Sequence, residues 1–283
     1  MPLGVHTSIA GGLSKAIDRA LDLGCDCVQI FARNPRSWAS KPLQPAEARL
    51  FRERRRLSKL WPVAVHTNYL INLCSPDEDI FGKSLTLFKK ELSTAEDIGA
   101  DFLVTHLGSP QEMGREFAVL RILSAFRDFA GSKLGKKTTI LLENTSGAGA
   151  AFGSDLKEIA RIIDGAKLLK LNAGLCFDTC HAFAAGYPLK AGGVKRLLSI
   201  IDKEIGLKSL KLIHLNDSKG AFCSRLDRHE HIGKGKIGLD AFKEFLTHPK
   251  ISPIPMILET PKKTEEDDPM NLKAVKGILS NIA

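Results

Sequence analysis

No apolar run in this chain of 283 residues approaches the ~18 needed to cross a bilayer, and Met1-Pro2-Leu3-Gly4-Val5-His6 has neither a basic start nor an apolar signal core. A cytoplasmic location without membrane contact is expected. Cysteine is sparse: Cys25, Cys27, Cys74, Cys176, Cys180 and Cys223 form no Cys-x-x-Cys pair and are too few for a disulfide framework, so they read as reduced thiols packed mostly inside. Ser8-Ile9-Ala10-Gly11-Gly12 lacks the glycine spacing of a dinucleotide loop, and no Walker lysine pattern occurs. Linkers and low-complexity segments are missing too. That excludes disorder, collagen and coiled coil, and predicts one domain over residues 1–283.

What is present suits a buried core: 43% hydrophobic and 26% charged residues. A net charge of +9 favours phosphate-rich partners without choosing among RNA, DNA and small phosphorylated substrates. Apolar or β-branched runs recur at Leu3 to His6, Val28 to Phe31, Val63 to His66, Phe102 to His106, Thr139 to Glu143, Leu175 to Asp178, Leu210 to His214 and Met256 to Glu259. Stretches with helical periodicity lie between them, at Ser14 to Leu23, Pro45 to Leu60, Ser84 to Ile98, Phe117 to Phe129, Asp155 to Ile163, Val194 to Ile205 and Leu239 to Leu246. This alternation predicts an α/β fold, a parallel sheet closed into a (β/α)8 barrel; a doubly wound open sheet is the structural competitor.

Chemistry on such a barrel sits at the carboxyl ends of the strands. Six predicted strands end in a residue able to bind metal: His66, His106, Glu143, Asp178, His214 and Glu259, roughly 35 to 45 residues apart, about one βα unit each. One such residue would ordinarily be structural. Six in register would converge at one mouth, where unpaired carboxylates and imidazoles are costly unless a cation lies among them. Asp178-Thr179-Cys180-His181 adds a second donor where strand six turns into its helix. In Asp227-Arg228-His229-Glu230-His231, Asp227, His229 and His231 would share one side of an extended loop. Imidazoles and carboxylates without thiolates suit zinc, with manganese or iron as alternatives. Cys176 and Cys180 are set aside as ligands, Cys176 as a core strand position and Cys180 as pointing away from Asp178 and His181. Two or three divalent ions beside a basic surface suit phosphodiester hydrolysis.

Several stretches carry a more specific signal. Gly4-Val5-His6-Thr7-Ser8 with Gly11-Gly12, Asn34-Pro35-Arg36-Ser37-Trp38, His66 with Tyr69-Leu70-Ile71-Asn72-Leu73, and His106-Leu107-Gly108-Ser109 come first. Glu143-Asn144-Thr145, Asp178-Thr179-Cys180-His181 running on to Gly186-Tyr187, His214-Leu215-Asn216-Asp217-Ser218-Lys219, Asp227-Arg228-His229-Glu230 and Leu258-Glu259-Thr260-Pro261 come after them. In this order, over nearly the whole chain, they resemble the endonuclease IV family of apurinic/apyrimidinic endonucleases. The resemblance implies a TIM barrel holding three Zn2+ ions, with Mn2+ an alternative at one of them. His66, His106 and Glu143 would hold the first; Glu143, Asp178, His214 and Glu259 the second; His181, Asp227 and His229 the third, which selects His229 over His231. It further implies hydrolysis of the phosphodiester 5′ to an abasic site in duplex DNA, leaving a 3′-hydroxyl and a 5′-deoxyribose phosphate, and clearance of blocked 3′ ends. Glu143 would help deprotonate the nucleophile, and Arg36, Tyr69 and Leu70 would meet the DNA. A monomer working with the nucleoid, if bacterial, is implied as well.

Three positions depart from the family pattern. Ala148 and Ala150 stand where relatives carry glutamine and serine, and Leu107 replaces a proline. The loop Gly233-Lys234-Gly235-Lys236-Ile237-Gly238 resembles the family's glycine-rich loop near backbone phosphate, whereas Arg52-Glu53-Arg54-Arg55-Arg56 reads as a solvated helix face. Two competing functions are weighed. A xylose-isomerase-like sugar isomerase or epimerase would not need His181, Asp227 and His229 as a further set, nor an apolar wedge at Tyr69-Leu70-Ile71. A DNA-binding relative without catalysis would not need all nine donors.

Overall fold

A computed structural model describes residues 1–39 and 41–280. Leu3–Thr7 (β1), Cys27–Phe31 (β2), Val63–His66 (β3), Phe102–Thr105 (β4), Thr139–Glu143 (β5), Ala173–Asp178 (β6), Leu210–His214 (β7) and Met256–Leu258 (β10) pair in parallel and close on one another. Closure decides against the open sheet. Alternate side chains point inward, so Cys27, Ala64, Val104, Leu141, Cys176, Leu212 and Ile257 fill the barrel as a cluster of their own. Space inside is short: a Cβ on Gly4 would fall on the Cys27 carbonyl oxygen, so β1 and β2 pair as they do because residue 4 has no side chain.

The outer layer runs through Ser14–Asp22 (α1), Pro45–Ser58 (α2), Glu78–Ile98 (α3), Gly114–Ala130 (α4), Leu156–Leu168 (α5), Thr179–Ala185 (α6), Val194–Glu204 (α7), Leu239–Thr247 (α8) and Asp267–Ser280 (α9). These helices cover the sheet with stripes such as Ala16, Ile17 and Ala20 on α1. Their starts obey the local chemistry: Pro45 occupies the first turn of α2, and Asp77 and Asp155 cap α3 and α5 by accepting N–H groups of Ile80 and Lys157. Among the described residues no helix is long and apolar enough to cross a membrane.

The structure corrects several expectations. β4 stops at Thr105 and β10 at Leu258, so His106 and Glu259 are the first residues beyond their strands rather than the last within them. α6, α9 and the two-residue ladder of Asp217–Ser218 (β8) with Glu230 and His229 (β9, His229–Glu230) are additional elements. The basic run is an exposed face, as expected, but three of its arginines have partners within the protein. Arg52 and Arg55 donate to the Asp97 and Gly99 carbonyls at the carboxyl end of α3, and Arg54 pairs with Asp18 at 3.1 Å. Since α3 leads into the start of β4, these cations lie at the barrel end opposite the mouth.

Candidate metal centre

Glu143, at the end of β5, is the hub of the mouth. Its Oε2 lies 3.1 Å from His66 Nε2 and 3.6 Å from His106 Nε2, while Oε1 lies 3.1 Å from His214 Nδ1 and 3.4 Å from His181 Nδ1. Parallel register accounts for part of this convergence, since Asp178 pairs with His214 across β6 and β7. The rest depends on the segments just beyond the strands. Asp178 caps α6, its Oδ1 accepting the His181 N–H at 2.7 Å, which turns His181 back into the mouth.

Asp227 and His229 arrive on the long connection between β7 and α8, and buried Asp217 gives that connection its shape. Its carboxylate accepts backbone N–H groups of Ser218, Gly233, Gly235 and Ile237 at 2.8 to 3.0 Å. A Cβ on Gly235 would lie 2.4 Å from Asp217 Oδ1, so glycine is required there.

Imidazole and carboxylate donor atoms, thiols aside, gather into three groups, each within 4.8 Å: His66, His106 and Glu143; Glu143, Asp178, His214 and Glu259; His181, Asp227 and His229. All nine residues singled out in the sequence thus reach one mouth, which opens into a cavity of about 1240 Å³. His231 does not join them; its Nδ1 lies 3.0 Å from Asn271 Nδ2 on α9. Cys180, contrary to expectation, stays beside Asp178 and His229, but burial pushes its thiol up to about 12. Cys176, inside the barrel, is pushed up to about 12 in the same way.

The hydrogen bonds of the imidazoles bear on whether this donor set fits a cation. His66, His181 and His229 each direct Nδ1 at a backbone carbonyl, of Thr67, Asn144 and Glu259, at 2.8, 2.9 and 3.0 Å. A carbonyl only accepts, so each Nδ1 carries a proton and each neutral ring turns an Nε2 lone pair into the mouth. His214 is fixed the other way round. Gln29 donates to Glu259 Oε1 at 2.7 Å, so its own Oε1 faces His214 Nε2 at 2.8 Å and leaves Nδ1 for the mouth. Lone pairs therefore meet carboxylate oxygens, and His229 Nε2 is buried with no hydrogen-bond partner among the described residues. Such an arrangement asks for positive charge.

Without a cation, protons supply that charge. Burial alone would raise Glu143 and Glu259, yet His106 and His214 hold Glu143, and His214 with His6 holds Glu259, well below the ordinary carboxylate range. Burial would lower His181, but Asp178 and Asp227 hold it well above its ordinary value. His214 is raised similarly, against burial, by Cys176, Glu259 and Glu143.

Sequence reasoning missed the residues that orient the donors. Gln29 is fully buried in β2. Asn144 grips the Asp178 backbone through its Oδ1 and Nδ2, at 2.8 and 3.1 Å, and Asn216 joins Asp178 Oδ2 to the Glu259 N–H. The signal was a polar side chain inside an apolar strand, or one placed directly after a candidate donor.

At the rim, Arg36 is exposed, Tyr69 is 57% exposed and Leu70 half-buried, whereas Ile71 packs into the core, so of the expected apolar wedge only Tyr69 and Leu70 are at the surface. Leu107 is buried beneath the loop bearing exposed Ala148 and Ala150.

Residues 17–279 match the family described as xylose isomerase-like TIM barrel. A probable endonuclease 4 of Methanoculleus marisnigri is 45% identical over 281 residues, 98% of each chain. The crystal structure of endonuclease IV from Thermus thermophilus superposes with a TM-score of 0.88 at 35% identity, covering 99% of this chain and 100% of that one. A D-tagatose 3-epimerase-like protein, at 19% identity and a TM-score of 0.73 over 100% of this chain and 98% of that one, shares the fold alone. The chain belongs to the endonuclease IV family of apurinic/apyrimidinic endonucleases.

Proposed function

We propose that this protein is a zinc-dependent endonuclease that hydrolyses the phosphodiester 5′ to abasic sites in duplex DNA, leaving a 3′-hydroxyl and a 5′-deoxyribose phosphate, and that also clears blocked 3′ ends in base excision repair. The observation that carries the reading is the set of ring nitrogens whose partners leave lone pairs facing carboxylates. His66, His106 and Glu143 would hold one ion, Glu143, Asp178, His214 and Glu259 a second, and His181, Asp227 and His229 a third. Divalent ions there would supply the Lewis acidity that activates water and offsets charge on the phosphate.

The chain's own residues do the rest. Glu143, kept ionised by the imidazoles about it, accepts a proton from the attacking water through a carboxylate oxygen. Thr67, Asn144, Glu259 and Gln29 keep the rings in one tautomer. Tyr69 and Leu70 wedge into the base stack, and an abasic nucleotide, already lacking its stacking, yields at lower cost than an intact one. The net charge of +9 serves a polyanionic partner. The sugar isomerase reading gains nothing from the rim residues.

The test is a duplex oligonucleotide carrying one tetrahydrofuran abasic mimic. Incision immediately 5′ to the mimic, lost with a chelator and restored by zinc, is expected. Glu143→Gln should abolish incision and spare DNA binding. Binding by the wild type without incision, or near-normal turnover by a metal-loaded Glu143→Gln protein, would overturn the assignment.

A further inference from the structure

Arg36 and Tyr69 rise from different loops, after β2 and after β3, yet one buried side chain joins the two. Asn68 is 3% exposed and its polar groups are all engaged. Its Nδ2 donates to the carbonyls of Asn34 at 3.1 Å and Ser37 at 2.9 Å, on either side of Arg36. Its Oδ1 accepts the Leu70 N–H at 2.7 Å, and the Tyr69 N–H donates to the Pro35 carbonyl at 3.0 Å. From below, Glu91 of α3 accepts the Asn68 N–H at 3.0 Å through Oε2, and its Oε1 lies 3.5 Å from Arg33 Nε. Arg33, immediately before Asn34, is tied to α3 again through Thr94 Oγ1 at 3.0 Å.

We propose that Asn68, anchored on Glu91, is a positioning residue that locks the Arg36 and Tyr69 loops into one unit, so that both side chains reach the duplex together. The inference rests on the DNA reading above. The geometry fits a coupling role better than loop packing alone. Neither loop belongs to the barrel, and apolar contact would hold them without fixing their mutual orientation. A fully satisfied buried amide with partners on both loops fixes it. Loss of Asn68 Nδ2 would leave the Asn34 and Ser37 carbonyls unpaired and the single Tyr69 to Pro35 backbone hydrogen bond as the polar link between the loops, loosening their mutual orientation without touching the core of the barrel.

A double-mutant cycle on the zinc-loaded protein tests this, with affinity for the tetrahydrofuran duplex and the fluorescence of 2-aminopurine opposite the lesion as readouts. In the wild-type background, Arg36→Ala and Tyr69→Ala together should cost little more than either alone, since removing one disables the unit. In Asn68→Ala the two losses should become independent, the 2-aminopurine signal should shrink, and KM should rise about tenfold while kcat falls far less. Metal content equal to the wild type would show that neighbouring His66 is undisturbed. If Asn68→Ala does not fold, Asn68→Asp, which keeps the acceptor for Leu70 and loses the two donors, carries the same test. Additive losses in the wild type, or coupling unchanged without Asn68, would overturn the proposal. A wild-type protein that neither binds nor incises the lesion would instead sink the DNA reading on which it stands.

Discussion

At His229 the Glu259 carbonyl fixes the Nδ1 proton, and the Nε2 lone pair then has nowhere to go but the mouth. The same logic applies at His66 and His181, so their usefulness as donors is set by residues that never meet an ion. Glu91 shows a different consequence of burial. Burial raises its carboxyl to about 7, with Arg33 and the Asn68 N–H opposing the rise. Because the folded value lies above the ordinary 4.5, the contribution of Glu91 to stability is complete below that value and is lost as pH rises through about 7. Glu91→Gln stays neutral and keeps an acceptor for Asn68. Melting curves at several pH values should therefore show the wild type losing stability relative to Glu91→Gln from about pH 4.5 to pH 7; parallel curves would refute the raised value. Six of the nine donors were legible because they fall at or directly after strand ends, and His181 because it follows Asp178 by three residues, whereas the choice of Asp227 and His229 over His231 came from the family resemblance alone. Gln29, Asn68 and Asn144 were not legible, since an amide becomes informative only when its partners, distant in sequence, are known.

Among the elements, the strands were legible from β-branched runs and the longer helices from their periodicity. α6 was not, because it begins immediately at the end of β6 and one residue, Asp178, is at once strand end, cap and donor. The β8 and β9 ladder is two residues long and pairs across a loop, below what any pattern reveals. That loop depends on Asp217, whose carboxylate gathers four backbone N–H groups. Asp217→Asn sets an amide NH2 against some of those donors and should loosen the segment carrying Asp227 and His229. Affinity for one ion of the three should fall roughly 10–100-fold, with barrel melting lowered only slightly. Metal titration followed by elemental analysis would show it; full occupancy in Asp217→Asn would mean the loop holds its shape by other means.

For the whole molecule, the two ends of the barrel carry different charge clusters, although Arg19, Arg33 and Lys262 also line the mouth. Cations at the end away from the mouth are committed to helix carbonyls and aspartates, while acids and imidazoles crowd the opposite end. The sequence predicted the basic balance but not this division, because register and closure decide which end each cluster occupies. A mouth so rich in carboxylates would repel a DNA backbone unless cations neutralised it. The most direct test is therefore the metal content of the purified protein, counted by elemental analysis and located by anomalous diffraction at the zinc edge. Three ions per chain are predicted, one at each donor group with Glu143 shared between two; a mouth free of metal, its imidazoles paired with the carboxylates, would contradict the account.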